Sequence, residues 1–105
     1  MRITRQLVLE ISRHEVPVGR AITLRVRDEG NNPIEGAIVE AGTKRTRTDS
    51  NGRCEITFYS PGFWKLVAAK SPTDRVAYES TSSLVRAVPR STTARRPRRT
   101  GPPTL

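Results

Sequence analysis

The strongest structural signal in the chain lies in residues 54–68, which read CEITFYSPGFWKLVA. Apolar side chains occupy every second position on both sides of Ser60-Pro61-Gly62: Cys54, Ile56, Phe58, Trp64, Leu66 and Ala68. Because successive side chains of a β-strand point to opposite faces, each run predicts a strand with one buried and one wetter face. Serine, proline and glycine between the runs are typical of a turn. The stretch therefore predicts two strands joined by a short turn.

The same period of two recurs in residues 7–11, 22–27 and 37–41. Turn-forming residues separate these runs, at Pro17-Val18-Gly19, at residues 28–33 and at Asp49-Ser50-Asn51-Gly52. No window of helical length carries apolar residues at i, i+3 and i+4. Short strands spaced in this way predict an all-β fold, an antiparallel β-sandwich of about seven strands.

The alternation also predicts which side chains form the core. The inward set is Leu7, Leu9, Ile22, Leu24, Val26, Ala37, Val39, Ile56, Phe58, Trp64 and Leu66. Trp64 is the largest of these, and we expect it between the two sheets. A last strand is expected over about residues 80–88, and the pattern leaves two inward sets open: Leu84, Arg86 and Val88, or Ser83, Val85 and Ala87.

Several segments share the spacing of a known domain family. Residues 30–39 (GNNPIEGAIV) resemble the signature G-x-P-hydrophobic-x-G-A-x-V with one additional residue before the proline, and residues 48–52 match T-D-x-x-G. Residues 58–68 match F-x-x-x-G-x-Y-x-V-x-A, with Trp64 in the aromatic place and Leu66 in the valine place, and residues 16–20 resemble V-x-V-G. Together, over about residues 5–88, these motifs resemble carboxypeptidase-regulatory-like domains and related bacterial and archaeal Ig-like domains. The resemblance implies an Ig-like or transthyretin-like sandwich, and it says almost nothing about activity.

Charge divides the chain into two parts. Lys and Arg number 19 against 10 Asp and Glu, for a formal net charge of +9. Residues 87–105 hold five arginines, four prolines and no acidic residue. Such a segment cannot bury enough apolar surface to offset the entropy of ordering. We therefore predict a sandwich domain over residues 1–88 and a disordered basic Arg/Pro-rich tail over residues 89–105.

Two groups of cations are candidate sites for nucleic acid or another anion. They are Arg95, Arg96, Arg98 and Arg99 in the tail, and Lys44, Arg45 and Arg47 near a strand edge. Arginine pairs well with phosphate, and a tail without aromatic residues would bind nucleic acid non-specifically. The alternatives are a solvated terminus for the first group and a charged edge that blocks pairing between sheets for the second.

The reactive residue types are too few for common catalytic or metal sites. The single Cys54 excludes a disulfide framework within the chain and a multi-cysteine zinc site, and the single His14 excludes a two-histidine metal site. Residues 49–52 (DSNG) resemble the start of a calcium-binding loop. Counted from Asp49, however, the twelfth position is Ser60, where such a loop requires glutamate, so we interpret the segment as a turn. We predict no catalytic, cofactor-binding or metal-binding residues, and no enzyme.

These observations lead to three functional hypotheses. The first is a non-catalytic structural or binding module for protein–protein contacts, as resembling domains provide in surface proteins, adhesins and viral appendages. The alternative is a basic accessory protein that binds nucleic acid through its tail. The third, a sugar-binding module, depends on Tyr59 and Phe63 as exposed aromatics. No small-molecule ligand and no membrane span are expected.

The amino-terminal residues bear on localisation. The apolar run Leu7-Val8-Leu9 is cut by Glu10, whereas a secretory signal needs a longer uncharged stretch. The expectation is a cytoplasmic protein, or a cell-surface or virion component if the chain is a fragment or co-assembles with other proteins.

Overall fold

A computed structural model describes residues 3–90, and all the regular structure in this range is β-strand. Nine strands follow in chain order: β1 (Ile3–Ile11), β2 (Glu15–Pro17), β3 (Ala21–Asp28), β4 (Ile38–Ala41), β5 (Lys44–Arg47), β6 (Arg53–Thr57), β7 (Gly62–Ala69), β8 (Val76–Glu79) and β9 (Thr81–Val88). The all-β prediction is confirmed. The strand count exceeds the prediction because β2, β5 and β8 are short and carry no clear apolar alternation.

The strands form two sheets. One has the order β6-β3-β1-β8 and the other the order β2-β9-β7-β4-β5. Apolar side chains from both sheets share one buried core, in which Leu7, Leu24 and Val26 from the first sheet join Val39 and Leu66 from the second.

The prediction of a purely antiparallel arrangement was too simple, because β1 pairs with β8 and β2 pairs with β9 in parallel. Both pairs have one cause. The chain bends from the four-stranded into the five-stranded sheet at residues 12–14, between β1 and β2, and again at Ser80, between β8 and β9. The two bent segments run side by side in the same direction and are therefore parallel in both sheets.

The predicted sidedness of the strands is confirmed. Leu24 is 0% exposed and Ile56 is 6% exposed, and in β9 the inward residues are Val85 and Ala87. Of the predicted core, only Leu9 and Trp64 are partly rather than fully buried. The core also contains Val16 and Ile34, which the alternation did not single out. Ala41, Ala68, Val85 and Ala87 are buried as well; the alternation marks Ala41 and Ala68, and Val85 and Ala87 belong to one of the two inward sets left open for the last strand.

Phe58, rather than Trp64, is the largest fully buried side chain in the described part of the chain. The indole of Trp64 stacks on the Phe58 ring with 4.8 Å between centroids and 21° between planes. Its Nε1 donates a hydrogen bond to the carbonyl oxygen of Ser60 at 3.1 Å. Trp64 therefore caps the core at its margin, where its ring nitrogen can reach a backbone acceptor.

Residues from two of the quoted motifs meet beside β3. Thr48 Oγ1 donates to the carbonyl oxygen of Ile34 at 2.6 Å and accepts from the Ala37 N–H at 2.9 Å. Gly52, at φ +74°, accepts a 2.7 Å hydrogen bond from the Val26 N–H through its carbonyl oxygen. These contacts fix the place where the chain leaves the five-stranded sheet after β5 and joins the four-stranded sheet as β6.

Candidate interaction surface

The residues with catalytic potential are scattered. His14 lies at the surface with Nδ1 3.2 Å from the carbonyl oxygen of Leu84. Cys54 is half-buried opposite Leu24, and burial raises the pKa of its thiol, which opposes reactivity. Within residues 3–90, no three His, Cys, Asp or Glu side chains lie close enough together to hold a metal ion.

Asp49 and Asp28 each stabilise a turn by accepting hydrogen bonds from backbone N–H groups. Asp49 Oδ1 accepts hydrogen bonds from the N–H groups of Asn51 at 2.8 Å and Arg53 at 3.0 Å, which confirms the turn interpretation. Asp28 is buried, and its Oδ1 accepts from the N–H groups of Gly30 and Asn32, each at 2.9 Å. Hydrogen bonds from backbone N–H groups hold the pKa of each carboxyl group below its ordinary value. The largest effect comes from the N–H of Asn32 for Asp28 and from the N–H of Arg53 for Asp49.

On the outer face of the four-stranded sheet, charges pair with one another. Arg25 Nη1 lies 3.0 Å from Glu10 Oε1, and Arg27 Nε lies 3.1 Å from Glu10 Oε2. Hydrogen bonding, first from Arg27 and then from Arg25, lowers the pKa of Glu10. Because Leu24 and Val26 lie inward, Arg25 and Arg27 lie on the outer face, where the same carboxylate engages both.

The outer face of the five-stranded sheet, which we call the five-stranded face, is different. At its β7–β9 end Phe63 is 74% exposed and Leu84 is 58% exposed. Phe63 pairs with Arg86 and Lys65 pairs with Leu84, so the two apolar side chains are diagonal neighbours with a cation beside each. The Arg86 guanidinium carbon lies 5.9 Å from the centroid of the Phe63 ring. Neither Lys65 nor Arg86 forms an ion pair within the described part of the chain.

The same face continues across β4 to β5 as a shallow groove of about 250 Å³. Its lining combines apolar side chains with charged ones: Ile38, Val67, Ala69, Glu40, Arg45 and Lys70. From Phe63 to Ile38 the five-stranded face thus mixes exposed or partly exposed apolar side chains with cations and with one acid, Glu40, which pairs with Arg45. Cations outnumber acids on this part of the face, an arrangement suited to a partner with acidic and apolar groups.

The predicted basic group at residues 44–47 is divided between two sides of β5. In the register of β4 and β5, Arg45 lies opposite Glu40 and Arg47 lies opposite Ile38. Because Glu40 and Ile38 are on the five-stranded face, the side chains of Arg45 and Arg47 belong to it too. Lys44 pairs with the buried Ala41 and therefore points to the opposite side, where its Nζ lies 4.8 Å from the centroid of the Tyr59 ring.

The predicted basic group of the tail, Arg95, Arg96, Arg98 and Arg99, lies outside the described residues, as does the predicted tail itself apart from Pro89 and Arg90. Near this end of the described chain a cleft of about 480 Å³ lies between the turn at residues 17–21 and Arg90. Arg20 and Arg90 line it, and both are exposed.

Sequence reasoning missed Lys65, Leu84 and Arg86 as site residues. The alternation in β7 placed Lys65 on the outer face beside Phe63. In β9, apolar residues occur at both odd and even positions, so the sequence did not decide whether Leu84 points inward or outward. Comparison of the chain with protein-family models, with curated proteins and with solved structures finds no match. Residues 3–90 contain no helix long and apolar enough to cross a membrane.

Proposed function

We propose that the chain is a non-catalytic protein-binding module that docks an acidic partner surface on its five-stranded face. The observation that carries this proposal is the exposure of Phe63 and Leu84 as neighbours, each beside a cation without an ion pair in residues 3–90. Exposed apolar side chains contribute binding energy when a partner covers them, and cations around them select an acidic partner. The motif resemblance supports the same role, since resembling domains mediate protein contacts.

The partner's chemistry can be tested with defined polymers. Binding of a random copolymer of glutamate and tyrosine is compared with binding of polyglutamate, using the full chain and a variant with Phe63→Ser and Leu84→Ser. We expect the copolymer to bind more tightly than polyglutamate and the double variant to lose about tenfold in affinity for it. A Tyr59→Ser variant is the matched control, because Tyr59 is 71% exposed but lies off this face. Equal copolymer binding by the double variant and the native chain would refute the proposed surface.

A second candidate function, nucleic-acid binding, is favoured by the cleft at Arg20 and Arg90. These two cations stand where the described chain leads into residues 91–105, which contain Arg95, Arg96, Arg98 and Arg99. A run of cations that continues from a folded surface into a tail can follow several phosphates of one strand.

The two candidates are separable with one set of variants. Replacing the four tail arginines with glutamine should weaken binding to a short DNA duplex. It should also reduce the salt dependence of that binding, by a slope of about 0.9 for each phosphate that the variant no longer neutralises. The Phe63→Ser, Leu84→Ser variant should bind the duplex as the native chain does. A duplex affinity that is unchanged by the tail substitutions would exclude tail-mediated nucleic-acid binding.

A further inference from the structure

We propose that the open edge of β5 is a docking site for an extended acidic segment of a protein partner, which adds to the five-stranded sheet as a further strand. The inference deepens the proposed function and rests on it, since β5 borders the same five-stranded face and the partner has the same acidic chemistry.

The first step concerns the backbone of β5. Within residues 3–90 the strand lies at the end of its sheet and pairs only with β4, across a connection of Gly42 and Thr43. Residues that flank a two-residue hairpin loop exchange both hydrogen bonds, and in an antiparallel pair such residues alternate along each strand. Thr48 continues this alternation, because its N–H donates to the Ala37 carbonyl oxygen at 2.9 Å. The backbone N–H and C=O groups of Arg45 and Arg47 therefore point away from β4, toward the open edge.

The second step concerns what prevents the edge from being covered by the chain itself. After Thr48 the turn at Asp49 carries the chain into the other sheet, where β6 pairs with β3. No strand within residues 3–90 pairs with the outer side of β5. β6 lies close to β5 across the turn at Asp49 but does not pair with it. The backbone edge of β5 therefore has no strand partner within residues 3–90, and strand addition at an unpaired edge is a common mode of peptide recognition.

The third step concerns charge. The edge presents Lys44, Arg45 and Arg47, and only Arg45 is paired within the described residues, with Glu40 at 3.4 Å between exposed side chains. Like charges directly opposite one another destabilise an antiparallel pair, so a second copy of β5 is disfavoured as the added strand. Acidic residues opposite Arg45 and Arg47 are favoured. Because these two cations are two residues apart, the matching segment carries acids at alternate positions.

The test uses a capped peptide of alternating glutamate and threonine, long enough to span β5. A matched peptide of the same sequence, N-methylated on the amides that would face β5, keeps the charge but cannot donate the backbone hydrogen bonds. Binding to the full chain is followed by calorimetry and by backbone amide resonances. We expect the methylated peptide to bind about tenfold more weakly or worse, and the amides of Arg45 and Arg47 to gain protection from exchange.

Two variants complete the test. Arg45→Pro removes an edge-facing N–H that β4 does not use, and Arg45→Gln removes only the charge. We expect Arg45→Pro to weaken binding more than Arg45→Gln does. Equal binding of the two peptides, resonance changes confined to Phe63 and Leu84, or self-association of the chain through β5 would each overturn strand addition. If the Phe63→Ser, Leu84→Ser variant loses peptide binding but the Arg45→Pro variant retains it, strand addition at β5 is overturned. The proposed protein-binding role of the five-stranded face then still stands.

Discussion

Gly52→Ala should destabilise the domain more than the same substitution at Gly19, although both glycines have a positive φ. At φ +74° an alanine costs about 1–2 kcal/mol because its Cβ crowds the following carbonyl group. The new Cβ would also lie 2.5 Å from the carbonyl oxygen of Val26, a backbone atom that cannot move without its strand. Moving it strains the hydrogen bonds from Val26 N to Gly52 O at 2.7 Å and from Ile34 N to Val26 O at 3.0 Å. Their disruption adds about 1–3 kcal/mol, for a total of about 2–5 kcal/mol.

Gly19→Ala is the control that separates the two contributions. Gly19 has φ +85°, but the nearest atom to a Cβ there is Arg90 Nη1 at 3.9 Å, at the end of a flexible side chain. It should therefore cost only the conformational part, about 1–2 kcal/mol. Urea unfolding of both variants, followed by the fluorescence of Trp64, measures the difference. If Gly52→Ala is no less stable than Gly19→Ala, the close approach of Gly52 to β3 does not constrain the fold, and the reasoning fails.

Buried polar and aromatic groups give three more testable expectations. Thr48→Val removes the partners of Ile34 O and Ala37 N and should cost about 2–4 kcal/mol in urea unfolding, whereas Thr48→Ser, which keeps both bonds, should cost about 1 kcal/mol. Because the pKa of Asp28 is lowered in the folded state, its contribution to stability is present above the ordinary value of 3.8 and is lost as the pH falls through the lowered folded pKa. The stability difference between the native chain and Asp28→Asn should therefore shrink on acidification, and a difference that grows instead would contradict the assignment. Phe58→Ala should destabilise more than Trp64→Ala, since only Phe58 is fully buried; circular dichroism melts test that order.

The alternation of residues predicted sidedness well because each strand buries one face only. Ile56 and Leu24 lie inward as expected, and a slip of one residue would have exposed both. Side-chain size misled the prediction for Trp64, whose position at the margin of the core depends on a backbone acceptor that the sequence does not reveal. β5 was seen only as a basic segment near an edge, because KRTR lacks the apolar alternation that identifies a strand.

The candidate surface was harder to predict because it depends on pairing between distant strands. The outward parity of Phe63 follows from β7 alone, but its proximity to Leu84 and Arg86 follows from the register of β7 against β9. The parallel pairs were missed for the same reason. They arise where two segments bend together from one sheet to the other, and nothing local in residues 12–14 or at Ser80 specifies that they do so side by side.

The net charge of +9 does not by itself distinguish a protein partner from nucleic acid, but the placement of the charges does provide a physical criterion. Contacts of the tail arginines with phosphates act through charge, so binding through those contacts weakens steeply with salt. On the five-stranded face the cations lie beside Phe63 and Leu84, and at β5 they lie beside unpaired backbone groups. Burial of apolar surface and strand pairing are far less sensitive to salt than screened surface charges are. An affinity that persists at high salt and depends on Phe63 therefore cannot come from contacts with a phosphate backbone alone, and it favours the protein partner.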